Sequence, residues 1–171
     1  PKIPTIESLY GLKAASIVTY PMYKGISKLV GMTPLEVKES TLQSQIKTLK
    51  KEFNNYDFFY FHIKKTDSFG EDGNYKEKIK VIERFDKELE KVLKFKFDVV
   101  CITGDHSTPS KMKGHSWHPV PVIINSKNSF HGTSKRFTEK ECMKGMLGLF
   151  EGKNLMNFIL AHAEMLSKFG A

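Results

Sequence analysis

The chain has 171 residues, 40% hydrophobic and 27% charged, proportions that suit one globular domain with a real core. Its formal charge of +8 rests mostly on lysines scattered through helix-like stretches, with no basic run interleaved with aromatics and no nucleic-acid-binding motif. No apolar run approaches the ~18 residues of a membrane span, so neither nucleic acid nor membrane is expected as a partner. Cys101 and Cys142 stand alone, without a CxxC pair, and Cys101 lies within the apolar run Val99, Val100, Cys101, Ile102. A disulfide framework is therefore not expected, and the default location is cytoplasmic. The opening Pro1-Lys2-Ile3-Pro4 has no initiator Met, as in a processed or tag-cleaved chain or a fragment of a longer one.

The elements alternate in type. Thr5 caps a short helix that Gly11 stops. Residues 14–20 are apolar and partly β-branched, a buried strand. Pro21 opens a helix that runs through Leu29 and stops near Gly31. From Thr41 to Phe53, the positions of Leu42, Ile46, Leu49 and Phe53 predict a helix with one apolar face. Residues 57–63 (DFFYFHI) form the next strand, followed by a loop over residues 66–74. A long helix with an apolar stripe spans 76–93, and buried strands follow at 97–103 and 120–124. Thr138 and Glu141 have capping-box spacing. A last amphipathic helix covers 155–169, with Gly170 as its stop. Alternating helices and fully buried strands indicate an α/β fold with a mostly parallel sheet covered on both faces.

Ligands of such sheets sit beyond the carboxyl ends of the strands, and polar clusters follow two of them here. Residues 64–73 read KKTDSFGEDG, and residues 104–109 read GDHSTP. A third cluster, KGHSWH at 113–118, precedes the strand at 120. Asp, Glu and His together suit a divalent ion such as Zn²⁺ or Mn²⁺. An isolated Asp105-His106 pair would be an ordinary loop, and it is the three successive clusters that favour a metal site. His131 reads as part of a surface turn, and His162 as a residue of the last helix. Met143, Met146, Met156 and Met165 read as packing residues. Trp117 is either a loop anchor or a ligand contact.

TGDHSTP at 103–109 and GHSWHPVPV at 114–122 resemble the T-G-D-H-S-T-P and H-S-x-x-P-V-P signatures of cofactor-independent phosphoglycerate mutases of the archaeal type, in the alkaline phosphatase superfamily. HIKKTDSFGEDGN at 62–74, YGLKAASIVTYPMYKGISKLVGM at 10–32 and KFGA at 168–171 extend the resemblance over the whole chain, in the family's order. The resemblance implies an α/β three-layer sandwich, alkaline phosphatase-like and here incomplete. Residues 1–171 would be the C-terminal part of the metal-binding domain, without the N-terminal segment that carries the nucleophilic Ser or the inserted lid domain.

The resemblance also implies roles. Asp105 and His106 match a pair that binds one metal together with N-terminal residues. Asp67 and His115 match ligands of a second metal, whose third ligand, a His in the family, is Glu71 here. His62 and Lys64 match an H-x-K pattern, with Lys64 placed to contact substrate phosphate. Ser107 is ordinary loop in the family and not a nucleophile. The implied activity is interconversion of 3-phosphoglycerate and 2-phosphoglycerate in glycolysis through a phosphoserine. It would use two divalent ions (Mn, Zn or Mg) and no 2,3-bisphosphoglycerate, and a complementing N-terminal segment would complete it. With no catalytic residue of its own, the chain by itself is expected to be inactive. The competing readings are a related metallo-phosphatase or phosphonopyruvate-processing enzyme, and a non-catalytic metal-binding or partner-binding module favoured by Glu71 and the absent Ser.

Overall fold

A computed structural model describes residues 3–130 and 132–166. Its residues group into two compact units, 1–92 and 93–171. His131 and the closing KFGA, as read from the sequence, lie outside the described residues, and the last helix, expected over 155–169, ends at His162, two residues before Glu164 takes a φ of 59°.

The first unit is built on an apolar strand, β1 (Ala14–Ile17), buried at every position. The short helix α1 (Ile6–Tyr10) leads into it. Thr5 caps α1 in a reciprocal box with Ser8, and Gly11 ends it in the left-handed region that a Cβ disfavours. From β1 the chain passes through α2 (Pro21–Leu29) to the two-residue strand β2 (Thr33–Pro34). It then returns through α3 (Leu42–Glu52) to β3 (Phe58–Phe61) on the other side of β1. The resulting order β2-β1-β3 is parallel throughout. Leu35, Ile46 and Leu49 close over β1 together with its own Ile17 and the adjoining Val18. Thr41 caps α3 by accepting from the Ser44 amide.

Beyond β3 the expected loop is instead a helix, α4 (Lys65–Glu71), with Gly70 buried inside it. The two glycines of this stretch differ: Gly70 is buried within the helix, while Gly73 takes a φ of 71° and turns the chain into α5 (Tyr75–Leu93). None of the side chains of α5 is fully buried: Phe85, Leu89 and Val92 of its apolar stripe are partly covered, while Ile79, Ile82 and Leu93 are exposed among the described residues.

In the second unit β4 (Val99–Thr103) pairs antiparallel with β5 (Val122–Ser126). An apolar run gives a strand but not its direction, and this ladder departs from the parallel pattern of the first unit. Nor are the strands uniformly buried: β3 and β4 are only partly covered, and β5 alternates partly covered and exposed positions. After α6 (Glu139–Cys142) comes α7 (Leu155–His162), which packs on β4. Thr138 accepts from the Glu141 amide, but its own amide donates to Arg136 O, so only half of the expected capping box forms. Met143 and Met146 are more than four-fifths exposed and are not packing residues in these coils. Their helical spacing misleads because α6 ends at Cys142, before either methionine.

Two outcomes follow. Gly31 has a φ of 77°, and a Cβ there would lie 2.6 Å from Thr5 Cβ. Gly31→Ala should therefore cost at least about 2 kcal/mol in chemical unfolding. Burial pushes the Cys101 thiol up to about 11, so at pH 8 a thiol reagent should label the partly exposed Cys142 quickly and Cys101 only as the protein unfolds.

Candidate functional site

In the first unit, the chain order reverses at β1 and β3, the kind of position where α/β sheets hold ligands. The carboxyl ends of these two strands are held together by more than the ladder. The His62 amide donates to Ile17 O at 3.1 Å. The side-chain amide of Gln45, 4% exposed, donates to Ile17 O at 3.2 Å and to His62 O at 2.8 Å. A buried amide with two good acceptors is worth far more as a brace than at the surface.

Around this brace the polar residues take fixed positions. The His62 ring lies against Tyr23 from the first turn of α2, tilted by 34° with centroids 4.0 Å apart. Lys64 Nζ lies 5.2 Å from the centre of the Tyr20 ring, a cation–π distance, and pairs with the carboxylate of Asp67. Asp67 sits in the first turn of α4 and is almost wholly buried. The hydrogen bond to Asp67 raises the Lys64 pKa against the opposing effect of burial, with further support from the charges of Asp67 and Glu71. Glu71 lies at i+4 from Asp67, so the unexpected helix puts both carboxylates on one face of α4, with Glu71 exposed.

In the second unit the chain between β4 and β5 folds back on itself. Thr103 Oγ1 donates to Pro121 O at 3.0 Å, and the Ser116 amide donates to Ser107 O at 2.9 Å. Pro109 O accepts from the amides of Met112 and Lys113, and Lys113 turns the tip with a φ of 52°. The result is a pinned loop in which the rings of His106 and His115 lie 4.0 Å apart, although nine positions separate them in sequence. His106 Nδ1 is 3.0 Å from Thr108 Oγ1, and Thr108 is buried. Asp105 accepts from the His106 amide at 3.1 Å, and its other oxygen is 3.6 Å from His106 Nε2. Imidazole and carboxylate donors set side by side on a pinned loop are chemistry for a divalent cation. Trp117 stacks on His118 at 5.0 Å and is 83% exposed, so it anchors no core.

The structure thus pairs Lys64 with Asp67 and places His62 beside them in one unit. It gathers Asp105, His106 and His115 in the other. Gln45, Tyr20 and Tyr23 were missed. Gln45 could have been found, since it is a polar residue three positions from Leu42 and four from Leu49, within the apolar face of α3. The two tyrosines carried a weaker signal, aromatic residues directly after a buried strand.

An α/β frame with acidic and histidine side chains at its strand ends is the frame of a metal-dependent enzyme class. The chain belongs to the metalloenzyme superfamily, whose family model matches residues 1–162. Among curated relatives, a probable 2,3-bisphosphoglycerate-independent phosphoglycerate mutase of Aquifex aeolicus is 56% identical over all 171 residues, and one of Thermotoga maritima is 50% identical. The chain spans 42% of the length of each. A solved protein of Pyrococcus horikoshii superposes with a TM-score of 0.91 at 31% identity, over 98% of this chain and 46% of that one. The cofactor-independent phosphoglycerate mutase of Thermoplasma acidophilum gives 0.77 at 25% identity, over 95% and 40%. The resemblance read from the strand-end motifs is borne out along the chain.

Replacing Gln45 by Leu should remove two buried hydrogen bonds from the β1–β3 brace and cost about 2 kcal/mol in denaturant unfolding. An unchanged midpoint would show that the amide braces nothing.

Proposed function

We propose that the polypeptide carrying this chain is a metal-dependent isomerase that interconverts 3-phosphoglycerate and 2-phosphoglycerate through a phosphoserine, without 2,3-bisphosphoglycerate. The observation that carries this reading is the His106–His115 pair, with rings 4.0 Å apart and His106 oriented by Asp105 and the buried Thr108, in a chain so similar to named mutases. The metal ligands are Asp67, Glu71, Asp105, His106 and His115. Their carboxylate and imidazole donors fit two divalent ions of the Mn²⁺ or Zn²⁺ kind. When bound, such ions withdraw charge from phosphoryl oxygens and acidify a serine hydroxyl.

The chain's own residues prepare for that chemistry. Asp105 and Thr108 orient the His106 ring, which leaves less reorganisation when a ligand binds. Lys64 and His62 bind the anionic substrate at the β1–β3 strand ends, where the ammonium is a mobile point charge suited to phosphate. The nucleophilic serine belongs to a segment outside these residues, as does the lid that keeps water from the phosphoenzyme. Glu71 stands where the family has a histidine. It adds negative charge to one site and shifts its preference toward harder ions. The free thiols accord with a cytoplasmic enzyme of glycolysis.

In the complete polypeptide, Asp105→Ala and His106→Ala should each weaken Mn²⁺ binding and lower mutase turnover by on the order of 100-fold or more. Calorimetry and a coupled assay for 2-phosphoglycerate would check this. Metal binding should also weaken on acidification, because protons compete for the imidazole nitrogens. The 171 residues alone should give no turnover. Unchanged Mn²⁺ binding in both variants would remove the proposed site. Rapid release of phosphate from generic esters, without isomerisation, would favour a metallo-phosphatase.

A further inference from the structure

We propose that Lys64 is a built-in cation that neutralises Asp67 until a divalent ion takes its place. The inference rests on the assignment of Asp67 as a metal ligand and says how that ligand is kept ready.

The side chain of Asp67 is only 11% exposed and that of Lys64 23%. A carboxylate withdrawn this far from water is costly without a countercharge. Lys64 supplies one from three positions earlier, across the first turn of α4, with Glu71 adding to the negative potential it feels. The two partners differ in freedom. Asp67 is a short side chain in the first turn of α4 and is almost wholly buried, so its carboxylate has little room to turn. Lys64 is a four-carbon stem that can re-aim its ammonium.

It also has a second attraction in that same position. Its Nζ already lies over the Tyr20 ring, an attraction that does not depend on Asp67. An arriving ion of charge +2 therefore exchanges with a charge of +1 that keeps a partner. The displaced ammonium stays by Tyr20 and the Tyr23–His62 pair, at the strand ends where an anionic ligand binds. Metal binding is weaker for having to displace Lys64, and the gain is an ammonium released next to the substrate's charge.

Mn²⁺ titration calorimetry on the complete polypeptide tests this with wild type, Lys64→Gln, Lys64→Met and Lys64→Arg. Removing the charge should tighten Mn²⁺ at the Asp67 site by on the order of fivefold in the Gln and Met variants. The Arg variant, which keeps the ion pair, should show no tightening. Circular dichroism identifies the folded variants, and either neutral variant suffices. Unchanged or weaker Mn²⁺ binding in a folded neutral variant overturns the proposal. If wild type binds Mn²⁺ and Asp67→Ala loses it while Lys64 substitutions do nothing, only the role of Lys64 fails. If wild type binds no Mn²⁺ at Asp67, the metal assignment fails with it.

Discussion

One side-chain amide holds the first unit in its functional shape. Two parallel strands end side by side, and where their ladder stops the backbone carbonyls would splay apart toward solvent. Gln45 prevents this by donating one hydrogen bond to each strand end from the helix that crosses between β2 and β3. Because the strand ends are tied, His62 meets Tyr23, the chain turns at once into α4, and Lys64 and Asp67 face each other within a single turn. A polar group costs free energy when buried, so it persists in a core only where it is well satisfied. Here it is satisfied by the two carbonyls whose separation matters most.

Much of this was legible in the residues. β1 declares itself because Ala14 to Ile17 are all buried and the run is correspondingly apolar. α2 and α3 declare their starts through Pro21 and Thr41, where local chemistry and tertiary packing agree. The histidine and carboxylate motifs could be read because they are rare combinations in a known order. What could not be read depends on partners far along the chain. The antiparallel pairing of β4 and β5 is set by the return of the loop between them, not by composition. The helix at α4 was hidden by Gly70 and Gly73, which suggest a loop by propensity, while packing around Gly70 favours the helix. Met143 and Met146 have helical spacing in a stretch where the helix has already ended, so period alone gave the wrong environment.

The two groups of candidate ligands are supported by different means. Asp67 and Glu71 ride on a helix, where backbone hydrogen bonds set their spacing and the side chains inherit it. Asp105, His106 and His115 ride on a loop, where a few particular bonds set the spacing: Thr103 to Pro121 at the base, and Pro109 at the turn. A helix tolerates surface changes near its ligands. A loop of this kind does not, because each pinning bond is made once.

That difference has a kinetic side. The arms that carry His106 and His115 are joined at their middle by the Ser116 amide on Ser107 O. A loop closed by so few backbone bonds opens by local fluctuation, far more often than the protein unfolds as a whole. Hydrogen exchange at the Ser116 amide is a clock for that breathing, and so for how long the two imidazoles stay side by side.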